Sequence, residues 1–152
     1  MMKYILIVGA KDSGKSTTMD AVCKTLNPDR IFQLNSENEF LEVDSKVEIM
    51  NGTYIIEVKG QIILVVAGAP TEQDITITIL VEIAIKFKIR IDFAIVAMRA
   101  FEKKKDFDTR NELKQLGECL LETRIWKIHA DNYKETPEWK ERIRDIADLI
   151  NT

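Results

Sequence analysis

The chain has 152 residues, 45% of them apolar and 31% charged, with a net charge of −3. That is the size of one domain with enough chain for a self-sufficient core, and the composition of an ordinary globular protein rather than a disordered or membrane-embedded one. The mildly acidic balance argues against a nucleic-acid partner.

Tyr4 to Val8 is a continuous run of β-favouring apolar residues, the pattern of a strand buried on both faces in a parallel sheet. Met1 to Val8 carries no signal-peptide pattern. The longest apolar run, Ile62 to Ala69, falls far short of the ~20 residues of a bilayer span, so no membrane segment is expected. After the first strand comes Gly9-Ala10-Lys11-Asp12-Ser13-Gly14-Lys15-Ser16, followed by Thr17. Met19, Val22, Cys23 and Leu26 then recur with helical spacing, and Asn27-Pro28-Asp29 stops that helix. Arg30 to Ser45 is polar and poorly periodic and reads as a loop. Lys46 to Met50 and Thr53 to Val58 flank Asn51-Gly52, a strong hairpin signal. Lys59-Gly60 makes a further turn before a second buried strand, Gln61 to Ala67.

From Ile75 to Ile91 the apolar residues fit a period of two as well as a helical face, and β-favouring Ile and Thr are abundant. A parallel sheet requires a crossover, usually helical, which favours a helix to about Phe87, started by Thr71 with Asp74. Ile91 to Met98 is a third buried strand. Thr109-x-x-Glu112 forms a capping box ahead of a helix carrying Leu113, Leu116, Leu120 and Leu121; Arg124 to His129 is a short strand. Thr136 and Pro137 start a last helix with Trp139, Ile143, Ile146 and Ile150 on one face. Lys103-Lys104-Lys105 reads as a solvated turn. Cys23 and Cys119 are too far apart for a metal knuckle and read as reduced thiols, in a cytoplasmic setting. His129 is the sole histidine, which weakens any zinc site or Ser-His triad. Alternation of strands and helices implies an α/β fold with a mostly parallel sheet and an antiparallel hairpin. Ligands bind such sheets at the carboxyl ends of the strands, here Val8, Ala67, Met98 and His129.

The glycine loop fits the phosphate-cradling pattern G-x-x-x-x-G-K-[ST] at every fixed position, between a buried strand and a helix as that pattern requires. Gly9 and Gly14 permit close backbone approach, backbone N–H groups from Gly9 to Thr17 form an anion nest, and the helix dipole favours phosphate. Lys15 carries a full charge to the phosphates, and Ser16 offers a hydroxyl to Mg²⁺. These residues resemble a P-loop NTPase, and the order of elements resembles a small Ras-like GTPase domain. A vaguer likeness is to the small GTPase-like proteins of ethanolamine- and propanediol-utilisation operons. The resemblance implies a three-layer α/β/α P-loop NTPase sandwich, with ATP or GTP bound together with Mg²⁺.

The chain departs from that pattern. Val65-Val66-Ala67-Gly68 stands at the D-x-x-G, with Val65 in place of the metal-linked aspartate. Ala97-Met98-Arg99-Ala100 lacks the guanine-reading residues of N-K-x-D, and His129-Ala130-Asp131 falls near S-A-K. Neither Thr53 nor Ser36 matches the switch threonine clearly. Lys11 sits one position later than the extra lysine of MinD- and ParA-type ATPases. Glu72 or Gln73, beyond the Ala69-Pro70 turn, are candidates to orient a water; Asp44 and Glu57 are more distant acids. Arg99, at a strand's end, is a candidate for phosphate or base, or for a surface ion pair. The residues therefore admit a slow Mg²⁺-dependent NTPase or switch, a catalytically inactive binding module with a protein partner, or a small-molecule or nucleoside kinase with Arg30 to Ser45 as its lid.

Overall fold

The apolar run before the glycine loop forms the strand around which a sheet is assembled. In the computed structural model, which describes residues 2–151, this strand is β1 (Met2–Gly9), followed by α1 (Lys15–Leu26). Then come β2 (Arg30–Leu34), β3 (Phe40–Val43), β4 (Thr53–Val58) and β5 (Gln61–Val66). A short α2 (Pro70–Gln73) and α3 (Ile77–Lys86) lead to β6 (Phe93–Arg99), α4 (Thr109–Leu116), β7 (Gly117–Arg124) and α5 (Pro137–Asn151). The result is a mixed α/β fold on one seven-stranded sheet, in the order β3-β2-β4-β5-β6-β1-β7.

Alternation along the strands divides the core in two. Ile5, Ile7, Ile63, Val65, Ile95 and Ala97 face α1 and α5. Tyr4, Leu6, Leu64, Val66, Val96 and Met98 face α3 and α4. Met19, Val22, Cys23 and Leu26 are all buried, as the spacing on α1 predicts, and Thr136 Oγ1 accepts from Trp139 N at the start of α5.

The sheet is mixed rather than mostly parallel. β5, β6, β1 and β7 pair in parallel, whereas β3, β2, β4 and β5 pair antiparallel. The expected hairpin is present but displaced. Lys59 and Gly60 take φ of 51° and 81°, the two left-handed residues that let a two-residue turn follow strand twist, and Val58 pairs with Gln61. Residues Lys46 to Met50 form no strand because their donors are taken elsewhere: Ile49 N donates to Asp20 Oδ1 and Met50 N to the Tyr54 hydroxyl. The expected loop from Arg30 to Ser45 holds β2 and β3. Asn35 Oδ1 accepts from Glu37 N and Glu39 N to close their turn, and Arg30 grips Glu42 across the pair.

α3 confirms the helical reading of its ambiguous segment, but its cap is Thr76, whose hydroxyl accepts from Ile79 N; Thr71 lies in α2 and Asp74 closes that helix at φ 58°. Asp108, not Thr109, caps α4, accepting from Asn111 N while Glu112 accepts from Asp108 N. The helix expected to reach Leu121 ends at Leu116. Gly117 lies so close to the Met2 backbone that a Cβ would collide with it, and from there the chain runs beside β1 as β7. Leu120 and Leu121 are strand residues, with a register shift between Tyr4 and Ile5. Residues 125–130 are irregular, although Ile125 N still donates to Val8 O. Cys23 is buried in α1; Cys119 is exposed on β7, not in a helix. Among the described residues no helix is long and apolar enough to cross a membrane.

Candidate functional site

Parallel pairing brings the carboxyl ends of β1, β6 and β5 to one edge of the sheet. Gly9 pairs with Arg99 across β1 and β6, and Val66 with Val96 across β5 and β6. The glycine loop rises from this edge into the N-terminus of α1. Within it Asp12 and Gly14 take φ of 64° and 95° and Ser13 between them does not, a left-handed alternation of the kind that forms anion nests. A Cβ at Gly9 would run into the Ser13 side chain, which would have to move to admit it. Ser13 Oγ is buried and has no hydrogen-bond partner among the described residues.

Lys15 is only 7% exposed, yet its ammonium is not buried unpaired. Nζ donates to Gly9 O at 2.8 Å and to Ala10 O at 2.9 Å, folding the side chain back over its own loop. Burial pushes its pKa below the usual lysine value; Glu72 partly restores it and Arg99 lowers it further. Ser16 Oγ donates to Asn51 Oδ1 at 2.7 Å and lies 3.4 Å from Ala67 O. These groups line a cleft of about 350 Å³ together with Lys11, Asp12, Gly14, Thr17, Glu72 and Arg99. Most of the expected phosphate-site residues are thereby brought together.

The residues expected to assist chemistry are otherwise engaged. Glu72 lines the cleft, but its Oε1 accepts from Arg99 Nε at 2.6 Å. That ion pair is the surface role open to Arg99, located beside the loop. Gln73 is not among the lining residues: its Oε1 accepts from the Thr53 hydroxyl and its Nε2 donates to Gly68 O. Asp44 and Glu57 do not line the cleft either; Asp44 accepts from Lys46 N, and Glu57 lies 3.8 Å from Arg30. Val65 is fully buried and faces the α1 and α5 core.

A second cleft, of about 270 Å³, opens on the other side of the loop between Asp12, Ser13, Gly14 and Thr17 and a wall of Lys127, Ile128, Tyr133, Trp139 and Arg142. Tyr133 and Trp139 meet edge to face at 5.3 Å, and Arg142 donates to Trp126 O at 2.8 Å. Sequence reasoning missed this wall. Trp139 fits the apolar stripe of α5, and nothing local in Tyr133 or Arg142 announces a site. Asn51 was missed for a similar reason, since Asn-Gly is equally good as turn chemistry.

Mg²⁺ takes hard oxygen ligands and usually keeps several waters beside phosphate oxygens. Ser16 Oγ is the protein oxygen best disposed to hold it, and when bound the ion would neutralise phosphate charge. No group of three or more His, Cys, Asp and Glu side chains forms a metal cluster among the described residues, so any such ion would lean on the phosphates for its charge. Comparison with family models, curated proteins and solved structures found no match for this chain.

Proposed function

We propose that the chain is a nucleoside triphosphate-binding protein of P-loop NTPase type, a three-layer α/β/α domain taking ATP or GTP with Mg²⁺. The phosphates lie against the glycine loop and the nucleoside against Tyr133 and Trp139. One observation carries the proposal: a buried lysine ammonium held at the start of a helix by the carbonyls of a loop with alternating left-handed residues. An anion can replace those carbonyls as the partner of Lys15, with the helix terminus adding its field. The flanking clefts support it by offering room for the two ends of one ligand, charged on one side and aromatic on the other.

The reaction expected is slow Mg²⁺-dependent hydrolysis, in which positioning and electrostatics do most of the work. A second reading, binding without turnover to signal to a protein partner, is favoured by the engagement of Glu72 with Arg99 and of Gln73 with Thr53 and Gly68. A kinase lid is not supported, because Arg30 is tied to Glu42 within the β2–β3 pair. Calorimetric titration with ATP and with GTP tests the proposal. Lys15→Ala is expected to weaken both by about 30-fold or more, the scale of removing one buried charge from a charge pair. Equal affinity in the variant and the parent would overturn the assignment. Phosphate release in the same samples separates the two readings.

A further inference from the structure

Among the described residues no carboxylate accepts from the Ser16 hydroxyl. Its hydroxyl proton goes to Asn51 instead. A serine hydroxyl has one proton and two lone pairs. With the proton directed to Asn51 Oδ1 at 2.7 Å rather than to the more distant Ala67 O at 3.4 Å, the lone pairs are left for the cleft.

Asn51 reaches this position because its segment is pinned from several sides. Ile49 N donates to Asp20 Oδ1 on the same helix as Ser16, and Met50 N donates to the Tyr54 hydroxyl. Gly52 O accepts from Ala67 N at 2.9 Å and Gly68 N at 3.2 Å, tying the segment to the end of β5. Gly68 is what permits the approach, since a Cβ there would strike the Asn51 carbonyl. Gly68 thus has a physical role of its own.

Asn51 is neutral, and the charged side chains around the cleft are Lys11, Lys15 and Arg99 against Asp12 and Glu72. Three cations against two acids leave the cleft unfavourable to a divalent cation alone. Phosphate reverses that balance.

We propose that Asn51 is a positioning residue for Mg²⁺: it orients the Ser16 hydroxyl in place of an acid, and so makes a cation site that fills only together with the triphosphate. This rests on the nucleotide reading above. The experiment measures ATP and GTP affinity in EDTA and in Mg²⁺, and Mn²⁺ binding by electron paramagnetic resonance with and without nucleotide, on the full chain. The parent is expected to bind nucleotide more tightly with Mg²⁺ and to hold Mn²⁺ only when nucleotide is present. Asn51→Leu is expected to lose about tenfold or more of the Mg²⁺ enhancement, read as the ratio of affinity in Mg²⁺ to affinity in EDTA, the scale of removing a group that orients a metal ligand. Asn51→Asp is expected to keep the enhancement and to bind Mn²⁺ without nucleotide better than the parent. The proposal is overturned if Asn51→Leu keeps the full enhancement, or loses affinity equally with and without metal. Lys15-dependent nucleotide binding that ignores Mg²⁺ in the parent overturns this proposal alone; no triphosphate binding under either condition overturns both.

Discussion

The clefts on either side of the glycine loop share Asp12, Gly14 and Thr17 but are built in opposite ways. On the Ser16 side the walls are short polar groups bonded to one another: Lys15 to two carbonyls, Ser16 to Asn51, Glu72 to Arg99. On the Arg142 side the wall sets the aromatic pair Tyr133 and Trp139 among Ile128, Lys127 and Arg142, and its anchor, Trp139, belongs to the hydrophobic core. A polar cleft of this kind is remade by a ligand, because each internal bond must be exchanged for one to the ligand. An aromatic cleft is filled without such exchange. Affinity for phosphate is therefore expected to depend on charge and metal, and affinity for the nucleoside on packing.

Trp139→Ala breaks the aromatic side most severely. Trp139 is 6% exposed and packs in the α1–α5 core, so the substitution is expected to cost about 3–5 kcal/mol of folding stability, read from urea denaturation. A loss under about 1 kcal/mol would show that the wall is not part of the core. Tyr133→Ala makes the finer cut, since this side chain is only partly buried at the core's margin. Stability is expected to change little, while affinity for ATP relative to inorganic tripolyphosphate falls about tenfold, the scale of one lost stacking contact. Equal losses for both ligands would place the nucleoside elsewhere.

What could be read from the chain follows the range of the interactions. The loop, α1 and the start of α5 are specified by neighbours: fixed glycines, the Met19–Leu26 spacing, and Thr136 before Pro137. The end of α4 is not. Leucines continue at helical spacing past Leu116, and only the fit of Gly117 against Met2, at the other end of the chain, makes a strand the better solution. Asn51-Gly52 and Lys59-Gly60 are both good turn sequences; only the second takes paired positive φ, because side chains of Asp20 and Tyr54 capture the backbone before the first. The same segment carries the Ser16 contact, so one long-range effect hid both the hairpin position and a residue lining the cleft. Tyr133 and Arg142 meet the loop only through the packing of α5, which no local pattern encodes.

The smallest expected effect concerns Lys15 and separates the charge of the polar cleft from its shape. Burial lowers its pKa from the ordinary 10.5, so the folded chain gives up this proton at lower pH than the unfolded chain does. Over the alkaline window between the lowered value and 10.5 the unfolded state binds more protons, and stability from this group rises with pH. Below that window both states are protonated and the cost of burying the ammonium is present in full. Triphosphate affinity should run the other way, falling as the ammonium loses its proton. Lys15→Met removes both dependences. The difference between parent and variant, in denaturation midpoint and in tripolyphosphate affinity from neutral pH to pH 10.5, isolates this residue from the other lysines and tyrosines titrating there. Opposite slopes are expected, each amounting to less than about 1.4 kcal/mol per pH unit. Parallel slopes would mean that the polar cleft holds phosphate by its shape and backbone donors rather than by the Lys15 charge.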